Sequence, residues 1–365
     1  MATIEVPVDR ASSVREDPRN CHNRWHPDIP PILRCAPGDE LLLHARDSVD
    51  GQLTRDSDHT DVTRLDRSIV HALTGPVYVE SARPGDALVI DIIEVTTSSF
   101  GYTAQIPGFG LLRDEFPEPF LARWDIDDGR ATSQDLPGIT LPGAPFMGVI
   151  GVAPSHELLR AVLTRESELS RRGVTAFLPD ANGAVPSEGP VAAEGLRTMP
   201  PRENGGNLDV KHLTAGTRFY LPVWVEGALL SVGDGHFAQG DGEVCGTAVE
   251  TATTVRLRVD VLPGHGRDPA TRAICFEGSR PAEARPFFAT IGLSGSGPES
   301  RAEDLTDASR QAVRHMIDYL TSEHALSPRQ AYTLCSVAVD LSVAEVVDVP
   351  TVAVTAMLPL DLFTP

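Results

Sequence analysis

The chain is short of basic residues, aromatic rings and cysteine, and each shortage narrows the range of functions. Lys and Arg number 31 against 51 Asp and Glu, a formal net charge of −20. So acidic a chain repels phosphate backbones and anionic membrane surfaces, so neither nucleic acid nor a membrane is an expected partner. Aromatic residues are only 5% of the sequence, which leaves the core to aliphatic side chains. The cysteines, Cys21, Cys35, Cys245, Cys275 and Cys335, are odd in number and show no Cys-x-x-Cys spacing. Reduced cysteines in a cytoplasmic protein are the expectation. Residues 1–17 place no apolar stretch between a basic head and a small-residue cleavage site, so no secretory signal is read there. No run reaches the roughly eighteen apolar residues of a membrane span.

What is present reads as mainly β. Val255, Leu257, Val259 and Val261 alternate with Arg256, Arg258 and Asp260, the period of a strand with one face buried. Asp86 to Val95, Arg218 to Val225 and Val343 to Val354 are rich in β-branched residues, and Glu40 to Arg46 reads as a further strand. Pro-Gly pairs, such as Pro37-Gly38, Pro84-Gly85, Pro107-Gly108 and Pro263-Gly264, mark turns. Helical spacing is confined to three places. Ser155 caps a segment ending near Gly173, Ala312 to Leu320 forms an apolar stripe, and Ser327-Pro-Arg-Gln330 opens a third helix with a capping-box pattern. These elements predict a mainly β portion over residues 1–264 and a smaller C-terminal α+β unit over 265–365. The stretches 181–206, 264–285 and 293–301 read as long loops.

The most informative segment is Ser231-Val-Gly-Asp234-Gly-His236-Phe-Ala-Gln239-Gly-Asp241-Gly-Glu243. Its carboxylates, imidazole and carboxamide are separated by glycines, whose conformational freedom lets polar groups converge on one point. Convergence suits a metal ion or a polar substrate; the plainer reading is a solvated loop of turn-forming residues. The segment looks too irregular for a helix or a plain strand.

The same segment resembles the signature of the acetamidase/formamidase family of amide hydrolases. Three other blocks agree in order: His22-Asn-Arg-Trp25-His26-Pro-Asp28, His71-Ala-Leu-Thr-Gly75-Pro76, and Arg197-Thr-Met-Pro-Pro-Arg202-Glu203-Asn-Gly205-Gly206-Asn207-Leu-Asp209-Val-Lys211. The C-terminal third, through Tyr332 and Val347-Asp348-Val349-Pro350, also fits. Ile106-Pro-Gly108-Phe-Gly110 departs from the triple glycine of many members, and Glu243 and Cys245 stand unusually close together. The resemblance implies a β-sandwich or barrel-like fold, a homo-oligomer, and hydrolysis of a small aliphatic amide by water activated on a divalent metal, Zn²⁺ first among them. Asp234, His236, His71 and Asp241 are the candidate ligands. Glu243 is the candidate general acid/base, with Asp47 and Asp209 as further catalytic carboxylates. His22, Trp25, Asn207 and Gln239 are candidates for shaping the substrate pocket. Lys211 reads as a neutraliser of nearby acids. Two alternatives stand beside this: a Cys245 thiolate nucleophile, set against a Val244 to Val249 strand in which the thiol only packs, and a non-catalytic β-sandwich that binds a metal or polar ligand without turnover.

Overall fold

The computed structural model describes residues 3–267, 273–278, 285–294, 303–346 and 351–363. Two sheets face each other across an aliphatic core. The first has six strands in the order Thr3–Val6, Glu40–Ala45, Thr253–Leu262, Ala87–Thr97, Arg218–Pro222 and Cys275–Glu277. The second runs Gly205–Asn207, Phe146–Gly151, Leu230–His236, Leu73–Val79 and Cys21–His22, with Leu33–Cys35 also paired to Leu73–Val79.

Alternation decides which side chains enter the core. Val255, Leu257 and Val259 are fully buried against Leu41, Leu43, Leu88 and Ile90, and meet Val77, Val232 and Ile150 from the opposite sheet. On the outer face Arg256 and Arg258 both bind Glu40 on the neighbouring strand, the cross-strand pairing expected of opposite charges.

A second core joins distant parts of the chain. The sheet of Phe100–Gln105, Phe120–Asp127, Arg130–Thr132 and Thr140–Pro142 packs Trp124 and Leu141 against helices Leu305–Glu323 and Pro328–Ala338. Phe237, Val244 and Cys245 share that cluster with Met316, Leu320 and Tyr332, so residues on both sides of position 264 form one hydrophobic body.

Local signals place the helices. Helix His156–Arg171 is capped by the Ser155 hydroxyl, which accepts from the Leu158 amide, and Ser327 and Gln330 form a reciprocal capping box. Three expectations need correction. Val343 to Val354 is not one strand but parts of two, Asp340–Glu345 and Ala353–Pro359, paired antiparallel with Val343 opposite Val354. The Val347 to Pro350 segment lies outside the described residues. The 181–206 stretch carries a short helix, Gly189–Glu194, and strand Leu196–Arg197, which pairs with Arg24–Trp25, while Cys275–Glu277 of the 264–285 stretch extends the first sheet. Of the 264–285 and 293–301 stretches, residues 268–272, 279–284 and 295–301 fall outside the described residues. Among the described residues no helix is long and apolar enough to cross a membrane.

Candidate active site

The first half of the glycine-punctuated segment lies in strand Leu230–His236, buried along its whole length at the centre of its sheet. Its glycines serve packing as well as flexibility. A Cβ on Gly235 would lie 2.1 Å from Thr253, and one on Gly233 2.6 Å from the Ala72 carbonyl. The pairing with Leu73–Val79 shifts register between Leu230 and Val232, and the backbone turns left-handed at Asp234, whose φ of 54° is shared in kind by Asp209 at 49° and Glu243 at 43°. Non-glycine residues in that region cost on the order of 1–3 kcal/mol each, and such strain concentrates at functional sites.

These three carboxylates meet His236 and one residue that the sequence reading did not single out, Glu250. His236 Nε2 lies 3.4 Å from Asp234 Oδ1 and 3.2 Å from Glu250 Oε2. His71 Nε2 approaches Asp234 Oδ2 at 3.7 Å. Potential ligand atoms of Asp209, Asp234 and His236 lie within 4.8 Å of one another, as do those of His236, Glu243 and Glu250. Glu250 gives one sequence signal, as the lone charged residue in the stretch Val244 to Val255.

The imidazole of His236 is held for its task. Its Nδ1 faces Gln239 Oε1 at 2.9 Å, and Gln239 Nε2 donates to the Asp209 carbonyl at 2.8 Å. An amide oxygen can only accept, so Nδ1 carries a proton and Nε2 is the nitrogen turned towards the carboxylates. Gln239 therefore positions the cluster from behind and does not line the cavity.

Electrostatics mark the cluster as short of positive charge. Burial and the adjacent Asp234 push Asp209 well above the usual carboxylate range, burial and Asp209 do the same to Glu243, and burial raises Glu250 to about 7. Burial opposes ionisation of Asp234 too, but His71 and His236 hold it well below the usual range. Burial favours a neutral His236, yet Glu250 and Asp234 push its pKa well up. Asp209 Oδ1, Asp234 Oδ1, His236 Nε2 and Glu250 Oε2 are buried without a hydrogen-bond partner. Buried polar atoms are rarely left so, and a divalent cation would fit between Asp209, Asp234 and His236 or between His236, Glu243 and Glu250, the two sets whose ligand atoms lie together. Gly148 completes the cradle: a Cβ there would lie 2.6 Å from Asp209 Oδ1, 2.8 Å from His236 Cε1 and 2.9 Å from Asp234 Oδ2.

The structure does not bring the remaining candidates to this point. Asp241 turns outward to Lys211, 3.6 Å away, and Lys211 also binds Asp340. The Asp47 carboxylate accepts from Tyr102 Oη and from the Val49 and Gly51 amides, which makes it the keystone of a turn. Both ring nitrogens of His22 are engaged, by the Arg24 carbonyl and Ser231 Oγ, and Trp25 lies in a core with Leu73 and Leu159. Asp28 pairs with His156 at 3.0 Å and leaves the cavity alone. Asn207 does line the cavity, with Nδ2 bonded to the Met199 carbonyl and Oδ1 unpartnered. Cys245 lies in a buried turn instead of the expected strand, 0% exposed, its amide bonded to Ser336 Oγ and its thiol pushed up to about 11 by burial.

The loop bearing Glu243 is fastened to helix Pro328–Ala338. Tyr332 Oη donates to the Val244 carbonyl and accepts from the Leu112 amide, the Gly240 amide reaches the Ser336 carbonyl, and Ser336 Oγ donates to Thr247. Above the cluster opens a cavity of about 390 Å³.

Residues 7–365 match the model of the Acetamidase/Formamidase family. The chain belongs to this family. It is 35% identical to an acetamidase of Mycolicibacterium smegmatis over 92% of this chain and 89% of that one. It is also 35% identical to a formamidase of Methylophilus methylotrophus, covering 100% and 94%. Among solved structures, a gamma lactamase from Delftia acidovorans superposes with a TM-score of 0.94 at 34% identity, covering 100% of this chain and 94% of that one. An acetamidase from Bacillus halodurans gives 0.58 at 28% identity, with 98% and 97% covered. The mainly β family fold expected from the sequence is the fold observed.

Proposed function

We propose that this protein hydrolyses small aliphatic amides to ammonia and a carboxylate, with a divalent ion, Zn²⁺, held by Asp209, Asp234, His236 and Glu250. The observation that carries the reading is the convergence of four unpartnered buried donor atoms beneath an open cavity. One imidazole with several carboxylates is a mixed N/O donor set suited to such an ion. When bound, the ion polarises the amide carbonyl and lowers the pKa of water.

The residues of the chain divide the remaining work. Glu243, only partly buried and facing the cavity, takes a proton from water and passes it to the departing nitrogen, a role that needs a carboxyl with a raised pKa. Gln239 fixes the His236 tautomer, and His71 orients Asp234. The free Oδ1 of Asn207 accepts an N–H of the substrate amide. Cys245 takes no part, because a fully buried thiol whose pKa is raised is a poor nucleophile.

The protein acts as a cytoplasmic homo-oligomer. Phe287 and Ile291, 58% and 56% exposed on one face of the C-terminal sheet, suit coverage by a second copy. The deciding experiment is ammonia release from formamide and acetamide after exhaustive chelation and again after adding Zn²⁺. Activity is expected to vanish and return; full turnover by protein that elemental analysis shows to be metal-free refutes the mechanism, and no turnover in any state favours a non-catalytic binding protein.

A further inference from the structure

We infer that the cavity takes amides with an apolar body of about four to eight carbons in preference to formamide or acetamide, an inference that rests on the hydrolase reading above. The first argument is size. At about 390 Å³ the cavity has room for roughly a dozen water molecules at about 30 Å³ each. Acetamide, which carries only a methyl group beyond its amide, fills a small part of that space, so most of the cavity would stay wet around it.

The second argument is the wall. Polar donors converge at the cluster, whereas Val49, Leu65, Ile106, Phe109, Leu111 and Met199 line the cavity beyond it. These come from four separate stretches of chain, and they are backed by packed cores. Leu65, Ile106 and Met199 lie against the cluster of Leu53, Val62, Tyr102 and Leu121, and Leu111 lies against that of Trp124 and Tyr332. A wall supported in this way does not collapse onto a small ligand. Arg67 and Arg113 also line the cavity, and the Arg67 guanidinium lies over the Phe109 ring at 5.6 Å.

The chemistry is unchanged by the longer body. Water adds across the C–N bond, its hydroxyl going to the acyl carbon and a proton to the nitrogen, which leaves as ammonia. What changes is transition-state binding, because each methylene moved from water onto the wall is worth about fourfold, equivalent to about 0.8 kcal/mol.

The test is kcat/KM of the full-length, Zn²⁺-loaded protein on formamide, acetamide, butanamide and hexanamide. Hexanamide is expected to exceed acetamide at least tenfold, and Met199→Trp or Leu65→Trp is expected to cut that ratio at least tenfold in protein with unchanged circular dichroism. A flat or falling series in the wild type overturns the inference. So does a carboxylate-ended amide of equal length outperforming hexanamide, since Arg67 and Arg113 would then set the preference. Failure to hydrolyse any amide would defeat the hydrolase reading, and calorimetric binding would then decide the cavity: hexanamide binding no tighter than acetamide overturns the assignment.

Discussion

Gly148→Ala tests the geometry of the cluster with a single carbon atom. Gly148 lies opposite the Asp234 bend and is not in the left-handed region, so alanine meets no backbone penalty and any effect must come from its methyl group. That methyl would stand 2.6 Å from Asp209 Oδ1, against the 3.4 Å at which ordinary contact begins, a shortfall of about 0.8 Å. His236 Cε1 and Asp234 Oδ2 are crowded as well, at 2.8 and 2.9 Å, so no single side chain can move away alone. Overpacking of a buried site costs about 1–3 kcal/mol, which a folded protein of this size tolerates. Displacement of reacting groups by about 1 Å costs on the order of 10²-fold in rate. The expected outcome is a folded protein with kcat/KM on acetamide reduced about 10²-fold and weakened metal retention in dialysis against a chelator. Gly38→Ala serves as a control for destabilisation without crowding at the centre, since its methyl enters open space and its cost is the backbone strain of φ 88°. Wild-type turnover and metal content in Gly148→Ala would refute the reading that these three side chains form one tightly fitted centre.

Glu243→Gln is expected to lower kcat by roughly 10²–10⁴-fold with metal content unchanged, whereas His236→Ala loses both metal and activity; metal loss in Glu243→Gln would make Glu243 a ligand. Gln239→Leu removes the acceptor at His236 Nδ1 and is expected to weaken metal affinity about 10–100-fold, read by competition with a chelating dye; unchanged affinity would show that the tautomer is set elsewhere. Cys245→Ser is expected to keep most of its activity at a modest cost in melting temperature, and a folded mutant slowed by several orders of magnitude would restore the thiolate mechanism.

Where the determining interactions are local, the sequence was readable. The alternation of Val255, Leu257 and Val259, the Ser155 cap and the Ser327–Gln330 box each depend on neighbours within a few residues, and each matches the structure. The site was readable in part for the same reason, since Asp234, His236 and Glu243 share one segment. Proximity along the chain misleads at Asp241. Gly242 at φ 103° and Glu243 at φ 43° reverse the backbone, so Glu243 faces the cavity and Asp241 faces Lys211. Glu250 belongs to the site only because residues 244–249 loop back to lay it beside His236, a tertiary fact with no periodic signal. His22 and Trp25 show the converse limit: a histidine beside a tryptophan reads alike whether it lines a pocket or has both nitrogens satisfied in a core.

The fastening of the Glu243 loop to helix Pro328–Ala338 has a consequence for how the protein is born. During synthesis the segments that carry Asp209, Asp234, His236 and Glu250 leave the ribosome before Tyr332 and Ser336. Until those two residues emerge, the Val244 carbonyl has only the Leu111 amide, and the Thr247 carbonyl and Gly240 amide lack their helix partners, so the loop around Glu243 is held less firmly. The helix that secures this loop therefore arrives after the last strands of the sandwich, Thr253–Leu262 and Cys275–Glu277. A chain broken off just before Tyr332 would keep the side chains of the cluster and yet lack the helix contacts that seat Glu243, and it is expected to lose turnover before it loses the capacity to hold an ion.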